Sequence, residues 1–235
     1  MSLPKINYPL FEVEIPSSQQ KIKMRPFLVK EEKLLLMAQT SGNSRDTVLA
    51  IKQVVNNCIV DNIDIDKLTT FDLEYLFVKL RARSINNLID VMYTDPEDEQ
   101  QHKIQINLDD VEVIRDERHT NKVEITDEMG IILRYPKTDM LKAVDQATSE
   151  VDLYFEVIKY CIDKVYDADN VYETNEQTPE ELQEFLASLD VKTFKQIQLF
   201  LETMPKLHYE TSYINSKGTE RKVLLQNLND FFMLG

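Results

Sequence analysis

Three histidines, two cysteines and 41 acidic residues are the side chains from which a reactive site could be built. Each of His102, His119 and His208 falls in or beside a hairpin-like pattern, and none has a second ligand at metal spacing on a helix. The expectation for all three is a surface or edge-strand place. Cys58 and Cys161 lie far apart in apolar helical runs, so no C-x-x-C zinc site can form. Both read as small buried hydrophobes in a reducing cytoplasm. The acidic runs "DNIDID" and "DADNVYE" place Asp at alternate positions, as calcium loops do. Neither supplies the glycine at the sharp turn or the closing bidentate glutamate that such a loop needs. No nucleophile elbow or H-E-x-x-H helix occurs. The only glycines are Gly42, Gly130, Gly218 and Gly235, too scattered to cradle a phosphate with backbone N–H groups. The expectation is a protein that is not an enzyme, with no catalytic residues, no cofactor and no metal.

Charge narrows the partner class. With 27 basic residues against 41 acidic ones the net charge is −14, a field that repels nucleic acid and anionic membranes. The densest basic set is Lys21, Lys23, Arg25, Lys30 and Lys33, diluted by Glu31 and Glu32; it reads as a solvated face or as a dock for an acidic partner. No apolar run approaches the roughly 20 residues of a membrane span, and the opening "MSLPKINYPLFEVEIP" lacks the pattern of a signal peptide. Protein partners remain, with no nucleic acid and no membrane.

The elements that must position these residues follow from periodicity. Phe11, Val13 and Ile15 alternate with Glu12 and Glu14, "PSSQQ" turns the chain, and Ile22 and Met24 alternate again, so 11–25 reads as a β-hairpin closed by Pro26. A helix is expected from about Lys30 to Gly42, with Leu34, Leu35, Leu36 and Met37 turned inward. A second starts at Ser44 as N-cap, and a third at "TTFDLE", where Thr69 and Asp72 have capping-box spacing. "NNLIDVMYTD", "HKIQINLDDVEVI" and "KVEITDEMGIILRYP" form a central β block, a small sheet or a pair of hairpins. A long helical stretch is expected from Thr138 to Asp167, then an acidic loop "DADNVYETNEQ". A helix follows at "TPEE", with Thr178 as N-cap and Pro179 at the first helical position, and another spans about Asp190 to Met204. The tail reads as a hairpin turning at Ser216 to Gly218, with a short apolar terminus holding Phe231 and Phe232.

Two halves share a plan: "VLAIKQVVNNCIVD" against "YFEVIKYCIDKVYD", then an acidic loop, a helix and a hairpin. An internal duplication and a chance likeness of apolar helices both fit this pattern. The expected fold class is α+β: an N-terminal β-hairpin, then helical pairs each followed by a β-hairpin or small antiparallel sheet. Segment 1–40 would hold the hairpin and first helix, 41–137 a helical pair plus small sheet, and 138–235 a second helical unit plus C-terminal hairpin.

The stretches "YPLFEVEIPSS", "KIKMRPFLVKEEKLLLMA", "LRARS" and "NLNDFF" resemble the baseplate hub assembly proteins of T-even-type contractile-tailed bacteriophages. The resemblance runs through most of the chain and is strongest from Tyr8 to Ala38. It implies a non-catalytic role in building the tail baseplate hub, as a chaperone for an unassembled hub or tail protein or as a structural hub subunit. The place implied is the host cytoplasm during assembly, or the virion tail baseplate; a homo-oligomer is compatible. Some relatives carry cysteine pairs in their hairpins, whereas "MYTDPEDEQQHKI" and "SYINSKGTERKV" have none, so metal-dependent properties do not carry over. The expected partner-binding residues are Arg25, Lys30, Lys33, Phe231 and Phe232. For Arg25 an internal pair with Glu31 or Glu32 competes with a partner carboxylate.

Overall fold

The computed structural model describes residues 6–144 and 147–232. The architecture is α+β, with helices alternating with small antiparallel sheets. The chain divides into two compact units: unit 1 holds Met1–Ile114 and Lys206–Gly235, and unit 2 holds Arg115–Pro205.

Unit 1 opens with the expected hairpin, β1 (Phe11–Glu14) on β2 (Lys21–Met24), in a register that sets Val13 opposite Ile22. Its inward side chains Val13, Ile15, Ile22 and Met24 are buried while the intervening Glu and Lys face water. Full burial of such a side chain contributes about 2 kcal/mol. The hairpin packs with α1 (Val29–Ser41), α2 (Ser44–Cys58) and α3 (Thr70–Ser84) around a core that includes Val54, Val55, Cys58, Leu76 and Leu80. Gly42, at φ 67°, ends α1 in the left-handed conformation that a residue with Cβ resists. The N-cap of α2 is Asn43 rather than Ser44, its side chain accepting from the backbone N–H of Arg45. At α3 the capping box of Thr69 and Asp72 forms as the spacing predicts. Asp72 is fully buried, and it also takes the backbone N–H and hydroxyl of Ser17 at 2.9 and 2.6 Å, which pins the β1–β2 turn to the helix start.

The second core of unit 1 lies on another side of α3. There Val78 and Ala82 meet β3 (Leu88–Thr94), β4 (Gln101–Asn107), β10 (Lys206–Ile214) and β11 (Glu220–Leu225), with Leu207, Val223, Leu225 and Phe231 buried among them. β3 pairs with β4, and β10 lies between β11 and β5 (Glu112–Ile114). The chain ends in a short helix, α8 (Leu228–Phe232).

Unit 2 is a four-stranded antiparallel sheet in the order β6 (Lys122–Glu124), β7 (Gly130–Leu133), β8 (Ile162–Tyr166), β9 (Val171–Glu173). Its helices are α4 (Met140–Ala143), α5 (Glu150–Cys161), α6 (Pro179–Ser188) and α7 (Val191–Thr203). The core joins Val123, Ile131, Leu133, Ile158, Cys161, Ile162, Ile197 and Phe200. Two expectations change here. The stretch from Thr138 to Asp167 is not one helix: helical structure stops at Cys161, and Ile162–Tyr166 is a strand on β7. Ile162 and Val165 continue the helical spacing of apolar residues, but pairing with a buried strand overrides it. The acidic stretch after it is not all loop, because β9 runs through it. The central β block takes the pair-of-hairpins form, β3–β4 in unit 1 and β6–β7 in unit 2, with β5 also in unit 1.

Candidate interaction surfaces

The expected residues around Arg25 form a seam where β2 hands over to α1. The Arg25 backbone N–H donates to the Cys58 carbonyl at 2.9 Å, and its guanidinium reaches the Asn57 carbonyl and Glu31 Oε1, both at 2.9 Å. Glu31 is fully buried, and its other oxygen accepts the Leu28 backbone N–H at 2.9 Å. Burial works to raise the Glu31 pKa, but Arg25, the Leu28 N–H and Lys30 together hold it below the usual carboxylate range. The Arg25 side chain is 20% exposed, so most of it is spent inside the seam.

Beyond the seam α1 faces water. Lys30 lies 3.4 Å from Glu31 yet is 69% exposed, and Lys33 is exposed. Leu34 and Leu35 pack on the core, whereas Leu36 and Met37 are 53% and 59% exposed rather than turned inward. At 100° per residue, Val29, Lys30, Lys33, Leu36 and Met37 share one face, opposite the buried Glu31 and Ala38. A run of four apolar residues cannot all face one core in a helix, and only two of them do.

At the C-terminal end, Phe231 is buried in the second core of unit 1; the side chain of Phe232 lies outside the described residues. The hairpin before it is clasped to β3–β4 through their two turns. Asp95 is fully buried and accepts the backbone N–H groups of Glu97 and Asp98 at 2.7 and 3.2 Å, together with the Tyr213 hydroxyl. Arg221 Nε lies 3.3 Å from the same carboxylate, and Arg221 Nη2 lies 3.1 Å from Glu97. Asn215 donates to Glu97 Oε2 at 2.9 Å, and the Ser216 N–H donates to Asp98 Oδ2 at 2.8 Å. Burial would raise the Asp95 pKa, but the Tyr213 hydroxyl, the two N–H groups and Arg221 bring it down to about 2. No local pattern could reveal this clasp, since Asp95 and Tyr213 stand 118 residues apart.

The remaining chemistry-bearing side chains are structural in their surroundings. His102 is half-buried, with Nε2 2.8 Å from Asp98. His208 sits half-buried on β10, opposite Glu112 of β5. His119 stacks on Tyr135 and tilts against Phe200. The Thr203 hydroxyl donates to the Leu199 carbonyl at 2.6 Å, so His119 Nδ1, 3.0 Å from that oxygen, is the ring's N–H donor. Burial and nearby Arg115 lower the His119 pKa. Close by, Arg118, Thr120, Lys122, Val123, Leu199 and Phe200 line a shallow cleft of about 250 Å³. Its two cations are already paired, Arg118 with Asp116 and Lys122 with Glu124. Burial pushes the thiols of Cys58 and Cys161 up to about 11 and about 12, which keeps both protonated and unreactive at neutral pH. No cluster of three or more metal-ligating side chains occurs among the described residues, and no helix among them is long and apolar enough to cross a membrane.

Two helices turn apolar side chains to solvent, Val29, Leu36 and Met37 on α1 and Val151, Leu153, Tyr154 and Phe155 on α5. Residues 8–233 match the family described as T4 bacteriophage base plate protein, and the chain belongs to that family. No curated protein and no solved structure matches it. The baseplate is part of the phage tail, which makes tail proteins the partner class.

Proposed function

We propose that the protein is a non-enzymatic assembly factor of the phage baseplate hub, a chaperone that holds an unassembled hub or tail protein in the host cytoplasm. The observation that carries this reading is the water-facing side of α1, where Val29, Leu36 and Met37 stand 86%, 53% and 59% exposed beside Lys30 and Lys33. Exposed leucine and methionine on one helix face suit a surface that is covered part of the time, with the lysines guiding an acidic partner. The net charge of −14 keeps such a protein dispersed while it carries an aggregation-prone client. Arg25 supports that face from the seam below, and Phe231 anchors the last hairpin.

The test is co-expression with each baseplate hub protein of the same phage, followed by co-purification. One hub protein should be retained, and Leu36→Ser/Met37→Ser together with Lys30→Glu/Lys33→Glu should release it. Retention of the client by the quadruple variant would overturn the assignment to α1. Mass spectrometry of purified virions addresses the competing role: recovery in stoichiometric amount would make the protein a structural subunit of the hub instead of a chaperone.

A further inference from the structure

A second exposed apolar surface lies in unit 2, on the first half of α5. Val151 is 65% exposed, Leu153 42%, Tyr154 37% and Phe155 42%. At 100° per residue Val151, Tyr154 and Phe155 form one stripe, with Glu150 and Asp152 on its two flanks. Phe155 stacks on Phe194 of α7 at a centroid distance of 5.6 Å, and Tyr154 meets Phe155 edge-on, so the stripe continues as an aromatic floor. Val191, at the start of α7, is 73% exposed. A helix that is apolar on its outer face is stable in water only at a cost, and that cost disappears when a partner covers it.

Charge says what the partner is. Residues 150–190 hold twelve acidic side chains against two basic ones, a net −10 of the chain's −14. Glu150 and Asp152 on α5, and Glu180, Glu181 and Glu184 on the adjoining α6, are exposed. The two basic side chains, Lys159 and Lys164, are committed to Glu156 and Glu173. A second copy of this chain is a poor occupant, because it brings another −14 to a surface that is already acidic.

We propose that the α5 stripe, Val151, Tyr154 and Phe155 with Phe194, docks a basic, apolar-faced helix of a partner protein. The apolar face of that helix would cover the stripe while its lysines or arginines meet Glu150, Asp152 and the α6 glutamates. The docking mode is helix against helix, in which apolar anchors give affinity and the charged rim gives orientation and rate. The inference shares with the reading above only the need for a protein partner, and it concerns a different surface.

The experiment titrates the full-length protein with two synthetic amphipathic helices of identical apolar face, one with lysine and one with glutamate on the polar face. The lysine helix should bind, bind more weakly as salt is added, and lose roughly tenfold or more in affinity on Val151→Ser/Phe155→Ser. Glu150→Lys/Glu184→Lys should weaken it as well, whereas Glu12→Lys/Glu220→Lys, an equal change of net charge in unit 1, should not. Circular dichroism verifies that each variant is folded, and the charge variants keep the test valid if the apolar one is not. Equal binding of the glutamate helix, or equal effects of the two charge variants, overturns the proposal. So does a concentration-dependent dimer in sedimentation that Tyr154→Ser abolishes, since the stripe would then be covered by a second copy. Success of the hub co-purification with failure here would remove this surface and leave the assembly role standing.

Discussion

The strand-to-helix seam at Arg25 and the one at Arg134 are built alike and secured differently. In unit 1 the Arg25 N–H donates to the Cys58 carbonyl, Met24 bridges to Ile59, and the guanidinium reaches the Asn57 carbonyl. In unit 2 the Arg134 N–H donates to the Cys161 carbonyl, Leu133 pairs with Ile162, and the guanidinium reaches the Tyr160 carbonyl. An arginine at a strand end, locked to the last turn of a helix that closes on a buried cysteine, thus occurs twice. The hairpin turns repeat as well, with Asp95 and Asn215 each accepting two backbone N–H groups from its own turn. The seams differ in the anion. Glu31 is fully buried against Arg25, whereas Asp163, 3.4 Å from Arg134, is 32% exposed, and Arg134 also lies 4.9 Å from the Tyr160 ring centre. The same backbone joint therefore tolerates a sealed ion pair or a wet one, and only the sealed one makes each partner indispensable.

The sharpest way to break the comparison is Glu31→Ala, which leaves a mostly buried guanidinium without its carboxylate. A loss of about 3 kcal/mol is expected by urea unfolding. A loss below that of the equivalent Asp163→Ala would end the distinction between the seams. Next comes Gly130→Ala in β7, where a Cβ would collide with the Tyr166 hydroxyl and sit 2.7 Å from the Val123 carbonyl. Because the second contact is backbone, β6 must shift, and a cost of about 2 kcal/mol is expected. Unaltered stability of this variant would show the unit 2 sheet to be looser than its spacing implies. Arg134→Ala should cost only about 1 kcal/mol, because its partner stays solvated; an effect matching Glu31→Ala would make the seams equivalent.

A different kind of effect is expected from pH. The folded-state pKa of Asp95, about 2, lies below the ordinary 3.8, so its stabilisation is present above about pH 4 and is lost as the pH falls toward 2. Acid titration of Asp95→Asn should lack that slope. Its persistence would assign the slope to other carboxylates.

Local signals carried most of the elements. Thr69 with Asp72 and Thr178 with Pro179 and Glu181 announced their helices because capping is decided within four residues. The hairpins were legible for the same reason. Cys161 to Tyr166 was not, since its apolar spacing suits a helix and a strand equally and only the neighbouring β7 decides. Of the candidate site, the Arg25–Glu31 pair could be read from sequence proximity. The outward turn of Leu36 and Met37 could not, because it depends on which face of α1 meets the hairpin. The acidity around α5 is local, a net −10 within residues 150–190, and a chain-wide net charge of −14 does not show where it sits.

Unit 1 is assembled from two stretches of chain separated by the 91 residues of Arg115–Pro205. A ribosome adding about 5–20 residues per second needs on the order of ten seconds to cross that gap. During that interval β3 and β4 exist without β10 and β11, and Val91, Ile104 and Ile106 lack part of their cover. Unit 2, an unbroken segment, has all its core residues before the last hairpin is made. The last hairpin to be made is thus a timing element: a chain stopped before Lys206 would keep a complete unit 2 and leave unit 1 open, with its second core as the surface most prone to premature association.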